Sequence, residues 1–497
     1  MVPVAASAQA PLSAIEWLGQ NTPQVRAGPV LLEPPVTKTA LRPDIAVQQL
    51  EETAEPIGLV PADVTGLPET LWKGSDINRL TQLIREVPVE RSPSMQTLLY
   101  TLLLSETRSP QAAGNADALL LARLDRLMTL GATDPVESLA ETAGPRSGRE
   151  LFRRWFDASL LNGTEDEACE ALDESPSLLN DYPARIFCDA RRGDWTSAVL
   201  VLDTAHALDI LPEEQLNLLD RFLSPDIYDG APPLPAPRNP DPLTFRLYEA
   251  IGERLPTASL PRAFANADLR DIAGWKAQIE AAERLTQIGA LPPNRLLGLY
   301  TERRPAASGG VWDRVQALQL FETALNQNSV SAVEKTLPGV WSAMQSARLE
   351  VPFADLFAER LAQLPLDDAR AREIVWRVLL LSPAYEAAAA QPLGQGQRDL
   401  FLAALAQGHP GTVPAPGGTA QSIADGFAPD ARPPARIQDA LARGSLGEAI
   451  LLSMAAFDSG LDGNAVDLTG AIATFRKVGL EDTVRRACLQ LLLLDRR

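Results

Sequence analysis

Residues 193–212, GDWTSAVLVLDTAHALDILP, decide the fold. Gly193-Asp194-Trp195-Thr196-Ser197-Ala198 opens a helix that runs to Leu211-Pro212, and Leu216 and Leu219 belong to the helix after it. Eighty residues on, Trp275 opens another helix, Leu291-Pro292 closes it, and Leu296 and Leu299 follow. The tryptophan, the Leu-Pro pair and both leucines keep one offset. A third member starts at Gly310-Val311-Trp312, with Trp312 placed 37 residues after Trp275. Further on, Arg443-Gly444-Ser445-Leu446-Gly447-Glu448-Ala449 echoes the segment from Arg192 to Ala198, and Gly479 follows Gly444 by 35 residues.

This spacing has a physical reading. A helix ends, glycine takes the left-handed turn, an aromatic or leucine plugs the corner, and a small alanine lets the next helix pack closely. Each helical pair keeps one apolar face that only a neighbouring pair can cover, so a period of roughly 34–40 residues implies stacking. The expected fold is all-α, an irregular α-solenoid of stacked helical hairpins with a Pro-rich N-terminal arm. Gly193, Trp195, Ala198, Trp275, Trp312, Gly444, Ala449 and Gly479 are expected at repeat corners. Truncating a corner tryptophan should then cost about 3–5 kcal/mol.

These corners resemble the tetratricopeptide class and its helical-repeat relatives. Gly193-Asp194-Trp195-x-x-Ala198, with Leu202 and Ala205, looks like the turn and second helix of such a repeat, and Gly444, Leu446, Ala449 and Ala456 match the same positions. Ser453 replaces the usual bulky residue, Pro212 comes later than the closing proline of that class, and its first-helix Trp-x-x-Leu-Gly-x-x-Tyr signature is absent. The resemblance covers about a third of the chain. It implies a protein-binding scaffold and supplies no ligand residues.

Composition agrees. Leucine and alanine dominate an apolar fraction of 45%, while aromatics make up 5%, a bias toward helix over strand. Lys+Arg is 45 against 64 Asp+Glu, a net charge of −19, which repels phosphate backbones and argues against nucleic acid as a partner. No apolar run approaches the roughly 18–20 residues of a transmembrane span.

The chain divides by its punctuation. Residues 11–70 read as a Pro-rich extended arm, with short helices over 11–19, carrying Trp17, and over Asp44–Glu52. Helical repeats follow over 71–229 and 243–408, joined by the connector 230–242, which holds six prolines. Residues 409–434, rich in Gly, Pro and Ala, read as a linker before a C-terminal helical unit at 435–497. Residues 1–10, with Ala8-x-Ala10, read as the remnant of a secretory signal, so a periplasmic or otherwise exported location is expected, with a cytoplasmic adaptor as the alternative.

Cysteine usage bears on the same point. Cys169 lies nine residues before Leu178 and Cys188 nine after Leu179, on two helices that flank one turn. Positions equidistant from a helical turn face each other, so an exported chain should join Cys169 to Cys188 in a disulfide. Cys488 reads as core.

No residue pattern here carries chemistry. His206 and His409 are the two histidines, too few and too scattered for a metal site or a catalytic triad. No catalytic, cofactor-binding or metal-binding residue is therefore expected, and no cofactor. Soluble lytic transglycosylases, which combine helical superhelices with a catalytic Glu, are the enzyme class to weigh. Glu137-Ser138 and Glu174-Ser175 are the local candidates, without that family's following segments. The pairs Arg153-Arg154, Arg191-Arg192, Arg303-Arg304 and Arg485-Arg486 suit helix ends electrostatically, or line a groove for acidic peptide or glycan carboxylates. The expected function is a non-catalytic exported scaffold for a protein or cell-envelope partner. A peptidoglycan-hydrolase-related superhelical protein is the alternative.

Overall fold

A computed structural model of the chain describes residues 55–110 and 117–494. The signal remnant at 1–10, the helices expected around Trp17 and over Asp44–Glu52, and the arm up to residue 54 lie outside the described residues. Among the described residues there is no β-strand, and the extended pairing is two isolated bridges, Ile57 with Thr107 and Val60 with Ser105. The protein is an all-α stack of helical hairpins. Thr133–Thr142 packs on Arg149–Asn162, Tyr182–Arg191 on Trp195–Ala207, Val311–Asn326 on Val330–Ser346, Glu350–Ala362 on Ala369–Leu381, and Leu446–Leu461 on Ala465–Lys477.

Helix boundaries follow local chemistry. Gly131, Gly163 and Gly193 end their helices at φ +87°, +83° and +84°, a region closed to most side chains. The Asp194 carboxylate accepts from the Ser197 N–H and caps Trp195–Ala207. Pro212 and Pro292 take extended φ/ψ just before Glu213–Leu223 and Pro293–Glu302, which is how each Leu-Pro pair starts a second helix.

The two ends of the described chain meet. Pro93–Leu104 packs on Glu481–Leu493, and Ile77–Glu86 on Leu446–Leu461. Trp72 is fully buried, and the Leu71 carbonyl accepts from the Gly447 N–H at 2.9 Å. A Cβ at residue 447 would stand 2.3 Å from the Trp72 ring, so this approach needs glycine. One core therefore joins Trp72, Phe152 and Phe245 to Phe401, Phe457 and Phe475, while a second holds Ile279, Phe321, Trp341 and Phe353. The Arg123 guanidinium is wholly buried and donates to the carbonyls of Leu103, Ser105 and Ile57, tying the first described segment to the C-terminal end of Pro93–Leu104. Burial lowers its pKa to about 10, and the three carbonyls, two of them at the helix end, replace its water shell.

Two segments differ from the sequence reading. Residues 409–434 contain the helix Gly418–Gly426, whose Ala420 and Ile423 are buried and which packs on Ala465–Lys477. Its apolar residues are few and its flanks are glycine and proline, so its periodicity is masked. Residues 435–497 hold helices seated on the N-terminal ones and do not stand apart as a separate unit. The connector at 230–242 has no helix between Ala231 and Asp241, Pro242 opens the helix Pro242–Ala250, and the connector is pinned. The Tyr248 hydroxyl donates to the Pro235 carbonyl at 2.7 Å, and the Leu234 N–H donates to Glu253 at 2.7 Å.

Candidate functional site: the Trp195 surface

The three corner tryptophans do not share one environment. Trp275 opens Trp275–Thr286, donates from Nε1 to the Leu299 carbonyl at 2.9 Å and meets the Trp312 ring at 4.9 Å between centroids. These two rings cover each other. Trp195 also opens its helix, yet it is 50% exposed. Trp195 thus stands at the turn after Gly193, with half of its surface open to solvent. Trp312 arrives 37 residues after Trp275, but the residue 37 after Trp195 is Pro232, inside the proline-rich connector. No second aromatic reaches the Trp195 ring from that position.

The small corner residues behave uniformly. Ala198 and Ala449 are fully buried at helix–helix contacts, and Gly444 and Gly479 sit at φ +76° and +85°.

Trp195 lines an open groove of about 320 Å³ with Phe187, Ala190, Phe222 and Ala250. Phe187 and Phe222 stack at 5.9 Å, giving the groove an aromatic wall. Its charged side is already neutralised. Glu165 is fully buried between Arg191, at 3.1 Å, and Arg246. Arg246 and Arg270 each reach Glu249 at 2.6 Å. These acids and arginines balance one another's charge and tie together the segments that carry Glu165, Arg191, Arg246 and Arg270, although one Glu165 oxygen and the Arg246 Nε are buried without a hydrogen-bond partner.

Outward from the groove the surface is apolar and acidic. Trp195–Ala207 buries only Ala198, Leu202 and Ala205. Val199, Leu200 and, just beyond the helix, Leu208 stay exposed, the last two by 65% and 66%. Ile210 and Ile227 add to them. Six of the twelve large apolar side chains exposed among the described residues thus fall between Trp195 and Ile227. Between Asp194 and Asp229 the chain carries eight acids, one arginine and one histidine. Arg221 is already paired with Glu253 at 3.0 Å, and His206 with Asp220 at 3.0 Å. Sequence reading missed this surface. The signal was present as the Val199-Leu200-Val201-Leu202 run, which holds more apolar residues than one helix face can bury.

Other sequence candidates have structural partners. Cys169 and Cys188 form a disulfide with Cα atoms 5.1 Å apart, and Cys488 is a buried free thiol. Glu137 accepts from Asn162 and Thr164 at 2.6 Å each, and its carboxyl is raised because burial disfavours the charge. Glu174 pairs with Arg146. Neither glutamate lines the grooves described here. Arg153 pairs with Asp181, Arg154 with Asp125 and Glu150, Arg191 with Glu165 and Asp166, and Arg192 with Asp173 and Asp189. Arg303 reaches Glu302, and Arg485 pairs with Glu386 across the Tyr385 ring. Arg304 is exposed. Arg486 lines the groove between Pro93–Leu104 and Glu481–Leu493.

No helix among the described residues is long and apolar enough to cross a membrane. Compared with protein-family models, curated proteins and solved structures, the chain matches none.

Proposed function

We propose that this protein is an exported helical-repeat scaffold that binds a protein partner, and that the Trp195 surface is where it does so. The tetratricopeptide-like corners and the stacked hairpins support the scaffold reading. The observation that carries the site is the coincidence of exposed large apolar side chains with a strongly acidic segment between Asp194 and Asp229. Contiguous exposed apolar surface marks interaction sites, and uncompensated acids select a cationic partner and speed its approach. The partner chemistry is a basic amphipathic segment, with its apolar residues on Trp195, Val199 and Leu200 and its lysines or arginines against the acids. Support for export is the Cys169–Cys188 bond, which an oxidising compartment maintains.

Fluorescence anisotropy with a labelled Leu/Lys amphipathic helical peptide tests this. A scrambled peptide of equal charge and no apolar face is the control. The amphipathic peptide should bind more tightly than the control, and Trp195→Ala with Leu200→Ser should abolish the difference. Equal binding of the two peptides, or an unaffected double variant, would remove the site.

A further inference from the structure

The largest groove among those described is not at Trp195. It lies where the two ends of the described chain meet, has a volume of about 380 Å³, and runs between Pro93–Leu104 and Glu481–Leu493. Val60, Val64 and Leu67 wall one side and Val351 and Asp355 the other. That volume falls within the roughly 300–1,000 Å³ range of small-molecule sites.

Its polar lining is unsatisfied in a specific way. Arg486 and Asp355 both line the groove and are close enough for the guanidinium charge to act on the carboxyl, yet they form no ion pair or hydrogen bond with each other. Among the described residues neither has another hydrogen-bonding or ionic partner. This sets Arg486 apart from Arg485, which is held by Glu386 at 2.6 Å and by the Ala406 carbonyl. The Arg486 Nε is buried without a partner, and so is the Oγ of Ser94, a residue only 6% exposed that lines the same groove. Buried donors left unpaired are costly, so such groups mark where a ligand atom belongs. Asp482 accepts from the Tyr385 hydroxyl through one oxygen at 2.7 Å and Gln490 from the Ser94 N–H at 2.9 Å, whereas Asp355 has neither oxygen engaged by a described residue. Asp355 is exposed in this open groove, and the walls around it raise its carboxyl to about 6.

A cation site would have no use for Arg486, and a simple anion site would be opposed by Asp355. A ligand that carries both charges meets both. We propose that this groove binds a small zwitterion of the amino-acid or short-peptide class, with its ammonium on Asp355 and its carboxylate on Arg486 and the Ser94 hydroxyl. The apolar walls from Val60, Val64, Leu67 and Val351 would take an aliphatic side chain. Such a ligand would bridge the central helix Glu350–Ala362 and the C-terminal helix Glu481–Leu493, and so tighten the junction of the chain ends.

Isothermal titration of the whole protein with L-alanine and with L-alanyl-L-alanine tests this. At least one should bind, and its N-acetylated and C-amidated forms should each bind at least about tenfold more weakly. Arg486→Gln and Asp355→Asn should each lose binding to the same degree while staying folded, since neither side chain has a hydrogen-bonded partner to lose, and Asp355→Asn should melt no lower than the parent at neutral pH because it removes a carboxylate whose charge the groove disfavours. No heat from either zwitterion at millimolar concentration, a blocked form that binds as tightly as the free one, or either variant binding like the parent would overturn the proposal. The blocked ligands are tested on the unaltered protein, so that arm does not depend on a variant folding.

Discussion

The Arg91 guanidinium grips Asp458, donating from Nε at 3.1 Å and from Nη2 at 2.8 Å across 367 residues of sequence. Its Nη1 also donates to Asp462 at 2.6 Å. Planar two-point pairing of this kind is geometrically demanding, and here it fastens the first helices to the last. Arg91→Ala should lower the melting temperature more than Asp462→Asn, because Asp462 is solvent-exposed and Asp458 is mostly covered. The effect has a pH signature. Arg91 hydrogen bonds hold the Asp462 carboxyl below the usual range, so the contribution is present above the unfolded value of about 3.9 and fades as pH falls through the folded value. The gap in melting temperature between parent and Arg91→Ala should therefore be widest near neutrality and narrow only as pH falls below about 4.

Gly447→Ala tests the same junction by sterics. The added methyl would lie 2.3 Å from the Trp72 ring and 3.1 Å from the Leu71 carbonyl oxygen, and Trp72 is fixed by its Nε1 bond to Thr107 at 3.0 Å. Overpacking against a fixed ring costs about 1–3 kcal/mol or more. Gly444→Ala meets no neighbouring atom and is strained only by its positive φ, so it should cost about 1 kcal/mol. Denaturant midpoints that rank these two variants in the reverse order would contradict the packing described.

The tryptophans separate what sequence made legible from what it did not. Helix starts at Trp195, Trp275 and Trp312, the glycine turns and the buried alanines were all visible, because each depends on a few adjacent residues. Burial of a ring depends on which distant segment arrives over it, and the offset of 80 residues carries no record of that. Trp275 met Trp312, whereas the residue 37 after Trp195 is Pro232 and the Trp195 ring stays half open to solvent. The same limit explains the joined chain ends. Nothing local in Arg91 or Gly447 names Asp458 or Trp72 as a partner, and the Arg486 groove exists only once those ends meet.

Stability should follow ring burial. Trp275→Ala should cost about 3 kcal/mol, since it removes the Trp312 contact and the bond to Leu299. Trp195→Ala should cost about 1 kcal/mol or less, in proportion to the area it buries. Thermal unfolding with equal losses for the two would restore the uniform corner and argue against Trp195 as a surface residue.

The disulfide is checked by counting thiols. Denatured without reductant, the protein should show one reactive thiol, Cys488, and after reduction it should show three. Reduction removes the constraint on a loop with a sequence separation of 19 residues, worth about 3 kcal/mol in the chain-entropy account. Three thiols before reduction would eliminate the bond and with it the support for an oxidising compartment.

Asp157 should make the protein less stable as pH rises, opposite in sign to the Arg91 junction. Burial pushes its carboxyl up to about 7, and the charges of Asp241 and Asp181 add to the rise against the pull of Arg153. A raised folded pKa means that the native state holds a proton the unfolded chain has released, so stability falls between about pH 4 and pH 7. Asp157→Asn keeps the shape and removes the titration. The variant should be more stable than the parent at pH 8, by roughly 1–2 kcal/mol, and close to it at pH 4. A constant gap across that range would mean that Asp157 stays ionised in the native protein and that its surroundings are wetter than the packing of Arg149–Asn162 implies.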